Sequence, residues 1–166
     1  MTRLLSFSLA FTIMTTVALA EDASANPFIG KWEIDTKKTQ AAGVPGDLKT
    51  EIRKSGDHAI VVKSRYQEPK TSVYPLLWVG VMAYELPLNT DGTERQNQIG
   101  TFMHVSKTTF DGNAMTTDWR ATIEKGNVEG KWIRTLSPDG KEMTLQIVAK
   151  ASDGRQMDQK LIFKRR

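Results

Sequence analysis

The chain has no cysteine. That one absence excludes disulfide bonds, a thiolate nucleophile, a cysteine-held zinc and a lipid-modified N-terminal cysteine. Histidine is nearly absent too, and His58 and His104 lie too far apart to suggest a metal pair. His58 follows a turn and His104 sits mid-strand, so surface and strand histidines are the plain readings, with haem ligation by His104 as the alternative. No nucleophile elbow, phosphate loop or calcium loop occurs. No residue set therefore proposes a reaction, and no metal or cofactor is expected.

Charge of one sign is also lacking. Against 23 Lys and Arg stand 19 Asp and Glu, a formal net charge of +4, and the signs are interspersed. That is no nucleic-acid footprint. Only the tail, Lys160, Lys164, Arg165 and Arg166, is locally basic, as suits a solvated strand edge. Long apolar runs number two. The first, Leu4 to Leu19, follows Arg3, is interrupted by Ser6, Ser8, Thr12, Thr15 and Thr16, and ends in the small-x-small pattern Ala18, Leu19, Ala20. It reads as a signal peptide over 1–20, cleaved after Ala20, which leaves 21–166 as a single domain and predicts a periplasmic or secreted protein.

The second run, Val73 to Leu88, contains Trp78 and Tyr84, carries one charge at Glu85 and is bracketed by Pro75 and Pro87. It is too short for a membrane helix. Three readings stand: a strand buried on both faces, a lid or lining for an apolar ligand, or a contact with a membrane or partner protein.

What is present is turn chemistry at a fixed interval. Gly112, Gly126, Gly140 and Gly154 recur every fourteen residues, about one ten-residue strand plus a hairpin loop. Asp111–Gly112–Asn113 suits a tight turn, Gly126 with Asn127 can fill the centre of another, and Ser137-Pro-Asp-Gly-Lys and Ala151-Ser-Asp-Gly-Arg share one design. Strands are expected at about 29–35, 48–54, 58–65, 72–85, 98–110, 114–124, 128–136, 142–150 and 156–165. The fold class is all-β, an up-and-down antiparallel meander of eight to ten strands closing into a barrel.

Alternation along the strands then fixes faces. Met143, Leu145, Ile147 and Ala149 share one, as do Met157, Gln159, Leu161 and Phe163. If Ala151 opposes Arg155, Ile147 meets Gln159 and Leu145 meets Leu161. A tight turn at Pro138–Gly140 would instead put Ile133 and Thr135 on the Met143 face, away from Trp132 and Leu136. Burial should overrule turn preference, so an extra bulge or a longer loop is expected near Ser137 to Glu142, with Trp119 and Trp132 on one side of the sheet. Arg134 falls on that apolar face. If buried it must be paired or bind an anion, and the alternative is a side chain snorkelling to a rim.

At Asn26-Pro-Phe-Ile-Gly-Lys-Trp32 the chain resembles the lipocalins, whose first strand opens on glycine, any residue, tryptophan. Together with the late Ser-Pro-Asp-Gly-Lys hairpin and the basic final strand, this opening is similar to that of small exported bacterial lipocalin-like proteins. The resemblance implies a lipocalin-like barrel closed at one end by Trp32, beside Gly30, with Arg165 as the candidate cap. The functional expectation is an exported binding protein for a small apolar or amphipathic ligand. Trp78, Tyr84, Trp119 and Trp132 would form its walls, and Arg134 would anchor a carboxylate. A ligand-free structural or interaction protein of the cell envelope is the alternative, and an outer-membrane barrel the third reading.

Overall fold

The computed structural model describes residues 26–41, 43–67, 85–99, 102–123 and 126–166. The expected signal peptide, Trp78, Tyr84 and the run from Val73 up to Glu85 lie outside the described residues. Those described form ten strands: β1 (Gly30–Ile34), β2 (Lys49–Lys54), β3 (Ala59–Arg65), β4 (Glu85–Asn89), β5 (Glu94–Ile99), β6 (Phe102–Asp111), β7 (Ala114–Ile123), β8 (Gly126–Leu136), β9 (Glu142–Ala151) and β10 (Gln156–Arg165). Among them there is no helix. They make one antiparallel sheet, ordered β4-β3-β2-β1-β10-β9-β8-β7-β6-β5, with the first strand joined to the last. The result is a nearly closed up-and-down barrel.

The hairpins set the register that the core requires. Ala151 N–H donates to Arg155 O at 2.9 Å, and from there Gln159 pairs with Ile147 and Leu161 with Leu145. At the neighbouring hairpin Ser137 N–H reaches Glu142 O, leaving a four-residue loop in place of a tight turn. Trp132 therefore pairs with Ile147 and Leu136 with Met143. A one-residue slip would have sent both to solvent. One turn differs from expectation: Gly126 is a strand residue paired with Ile123, so it does not occupy the centre of the loop.

Two strands were hidden in the sequence. In β4, Leu86 and Leu88 are buried while Pro87 lies between them, in a strand at one end of the sheet. Proline costs no ladder bond there. β5 lacks the apolar alternation of a half-buried strand, because Arg95 and Asn97 hold positions that such a strand gives to aliphatics. The single strand expected over 98–110 is thus two, β5 and β6, paired at Ile99 and Phe102. β4 and β5 are the two ends of the sheet, and side chains bridge them. Asn89 Nδ2 donates to Glu94 O at 3.3 Å, Arg95 Nη1 to Asn89 Oδ1 at 3.1 Å and Asn97 Nδ2 to Pro87 O at 3.0 Å.

The register also sorts the interior by height. At the end where β1 begins and β10 finishes, the inward side chains are large: Phe28, Trp32, Met115, Leu136, Met143 and Phe163 are all buried. Burial of each is worth about 1.5–3 kcal/mol. Further along the barrel the inward positions of β7, β8 and β9 shrink to Ala121, Gly130, Ala149 and Ala151.

Candidate functional site

Two arginine–tryptophan pairs occupy the barrel, and their surroundings differ. At the closed end Trp32 is wholly buried and its Nε1 donates to Phe28 O at 3.0 Å. The Arg165 guanidinium carbon lies 4.3 Å from the Trp32 ring centroid. Its Nε donates to Gly140 O at 2.9 Å, Nη1 to Ile29 O at 3.0 Å and Nη2 to Pro27 O at 2.7 Å. A side chain at Gly30 would place its Cβ 2.8 Å from Arg165 Nη1, and the residue has φ +152°. Glycine is what lets the guanidinium lie there. Gly30, Trp32 and Arg165, grouped by resemblance in the sequence, are neighbours in space.

The second pair lies on the inner wall made by β6, β7 and β8, with Arg134 one inward position along β8 from Leu136 of the closed end. Arg134 lies between Met115 and Leu145 on the adjacent strands and is 4 % exposed. It does not snorkel: Leu136, the next inward residue toward the end of β8, is itself buried, and Arg134 lies behind it. Its guanidinium carbon lies 5.8 Å from the Trp132 ring centroid, and neither Nε nor Nη1 has a hydrogen-bond partner among the described residues. Burial pushes its pKa down to about 10, so it stays charged at neutral pH. A cation–π contact is worth up to about 2 kcal/mol. Burying a cation costs several kcal/mol, so the ring alone does not compensate it.

Around this arginine the polar atoms are unpartnered as well. His104, Trp119 and Trp132 stack: ring centroids are 5.8 Å apart for His104–Trp119, 5.4 Å for His104–Trp132 and 5.2 Å for the two indoles. All three residues are buried, and so is Ser106. Both His104 ring nitrogens, Ser106 Oγ and the Nε1 of each indole lack a partner among the described residues. Burial lowers the His104 pKa to about 4, which leaves it neutral at physiological pH. By contrast, Thr108 and Thr117 satisfy each other at 3.0 Å on the same wall. Buried polar groups are normally bonded. Here five neighbouring residues break that rule together, and most of the unmet atoms are donors.

Gly130 makes the wall possible. Paired directly with Trp119, it has no side chain, and a Cβ there would come within 2.3 Å of Val148 O and 2.9 Å of Trp119 Cζ2. The indole lies in the space that glycine leaves.

Of the residues singled out in the sequence, Trp119, Trp132 and Arg134 come together, while Trp78 and Tyr84 lie outside the described residues. Sequence reasoning read His104 as an ordinary strand histidine, with haem ligation the alternative, and passed over Ser106. A signal existed: the Asp111–Ala114 hairpin places Ser106 opposite Trp119, and His104 follows on the same face. A depression of about 900 Å³ also borders the long strands, where Arg120–Glu94 and Lys131–Asp118 ion pairs contribute to its lining. Ion pairs of that kind mark a solvated outer surface.

The sequence matches no protein-family model and no curated protein. The fold does match solved structures. A secretory abundant heat soluble (SAHS) protein from Ramazzottius varieornatus superposes with a TM-score of 0.56 at 16% identity, over 86% of this chain and 97% of that one. SAHS protein 4 from the same organism gives 0.52 at 17% identity, over 86% and 97%. The fluorescent protein UnaG is matched at 0.48 and 11% identity, over 84% and 97%. At such identities the SAHS likeness establishes a shared barrel fold.

Proposed function

We propose that this chain is an exported binding protein that holds a small amphipathic molecule inside its barrel, with an acidic group against Arg134. The observation that carries the reading is the Arg134 guanidinium, buried and charged with two N–H groups unmet. A carboxylate supplies the countercharge and an acceptor for the unmet guanidinium N–H groups. Trp132 and Trp119 provide apolar walls, as pockets for small molecules do. The closed end below is filled by Trp32 and its neighbours, so the apolar body of the ligand extends toward the smaller side chains at Ala121, Ala149 and Ala151. The leader-like run over 1–20 supports export, and the matched SAHS protein 4 carries the word secretory in its name.

Native mass spectrometry of protein purified from its host tests this. The expected result is a co-purifying acid that is lost in Arg134→Met and in Trp132→Ala, both checked for folding by circular dichroism. Protein that carries no extra mass, and that gains none on incubation with long-chain acids, contradicts the reading.

A further inference from the structure

Arg134 accounts for only some of the unmet polar atoms. Ser106 Oγ, Trp119 Nε1 and the two His104 nitrogens form a second group, displaced along the same wall. Trp119 and Ser106 are level with Gly130, which is four residues from Arg134 on β8. At the strand rise, that offset is about 13 Å. The Trp132 ring, 5.8 Å from the Arg134 guanidinium carbon and 5.2 and 5.4 Å from the Trp119 and His104 rings, links the two groups, which stand at separate backbone levels.

We propose that Ser106, His104 and Trp119 form a second polar subsite, which takes a hydroxyl or carbonyl oxygen partway along the apolar body of the ligand. The inference rests on the acid-binding reading above and names the class of acid: one oxygenated mid-chain. The donors fit. An indole N–H donates only, a seryl hydroxyl donates or accepts, and a neutral imidazole presents one nitrogen of each kind. A ligand hydroxyl can therefore accept from Trp119 and Ser106 together and donate to His104. A plain hydrocarbon at this place leaves four buried polar atoms unmet, and leaving such atoms unpaired is what gives sites their strongest discrimination.

The stack holds the subsite in place. His104 lies nearly parallel to both indoles, at 17° and 11°, and Gly130 leaves the space in which Trp119 lies. These side chains are packed on one another, so the polar atoms cannot readily turn toward solvent.

Oleic acid and ricinoleic acid provide the test, since the second differs from the first by one mid-chain hydroxyl. Affinities are measured by tryptophan fluorescence titration and by competition for a bound fluorescent fatty acid. Wild-type protein is expected to bind ricinoleic acid at least about tenfold tighter. Ser106→Ala and His104→Phe, the latter retaining a flat ring in the stack, are expected to reduce that preference to about twofold or less while leaving oleic acid affinity nearly unchanged. Ser106→Ala removes a single oxygen, so it keeps the test valid if His104→Phe folds poorly. Equal affinity for the two acids in wild type, or a preference that survives Ser106→Ala, overturns the second subsite and leaves the Arg134 anchor standing. Binding of neither acid by wild type overturns both.

Discussion

The Arg165–Trp32 and Arg134–Trp132 pairs use the same two side chains to opposite effect. At the closed end, Arg165 donates to three backbone carbonyls and the Trp32 indole to a fourth. On the inner wall, two nitrogens of Arg134 and the Trp132 indole donate to nothing among the described residues. The first arrangement ties together the start of β1, the β8–β9 loop and the end of β10, and is complete without a ligand. The second is incomplete within the chain. A cation that is buried and unmatched lowers the stability of the empty barrel, and groups that lower stability persist where function uses them.

The largest effect that sharpens this comparison is removal of the closed-end ring. Trp32→Ala empties a fully buried position and is expected to cost about 3–5 kcal/mol in urea unfolding. Acid comes next. His104 binds its proton more weakly folded than unfolded, so stability is full above about pH 6.5 and is lost as pH falls toward 4, by roughly 3 kcal/mol in all. This window lies above that of Glu85 and Glu94, whose pKa values are lowered by hydrogen bonds from Lys63 and Arg120. His104→Phe is expected to flatten the curve between pH 4 and 6.5, and an unchanged slope would place the titrating group elsewhere. Arg165→Met should cost about 2–3 kcal/mol through its lost charge-assisted bonds, read as a lower denaturation midpoint. Smallest is Gly130→Ala, about 1–3 kcal/mol from overpacking against Trp119 and the Val148 carbonyl. A neutral result there would mean that both the Trp119 indole and the β9 backbone at Val148 can give way.

Much of the architecture was legible in the sequence because local and global signals agree. At Ala151–Arg155 the turn residues and the apolar faces of β9 and β10 give one register, and the structure has it. At Ser137–Glu142 they conflict, and burial of Trp132 and Leu136 wins, as it must when a slip exposes a whole face. β4 escaped because Pro87 interrupts its alternating Leu86 and Leu88, and β5 because it lacks apolar alternation at the barrel's seam. Pro87 and Asn97 are joined there by a side-chain bond where a ladder is missing.

The site was half legible. Arg134 and the two tryptophans share a strand face whose parity can be counted, yet counting cannot separate a rim arginine from a buried one. That depends on where β8 starts and ends: Arg134 is two residues short of its final residue, Leu136, whose own side chain is buried. His104 looked ordinary because nothing beside it in sequence is polar in a telling way. Its partners come from β7 and β8, and only pairing brings them near.

The central claim, that Arg134 is held unmatched for a ligand, is tested most directly by urea unfolding of ligand-free wild type against Arg134→Met. Methionine fills similar space without the charge, and the variant is expected to be more stable by about 1–4 kcal/mol. A clear loss of stability would show that Arg134 is already satisfied within the protein and would contradict the account.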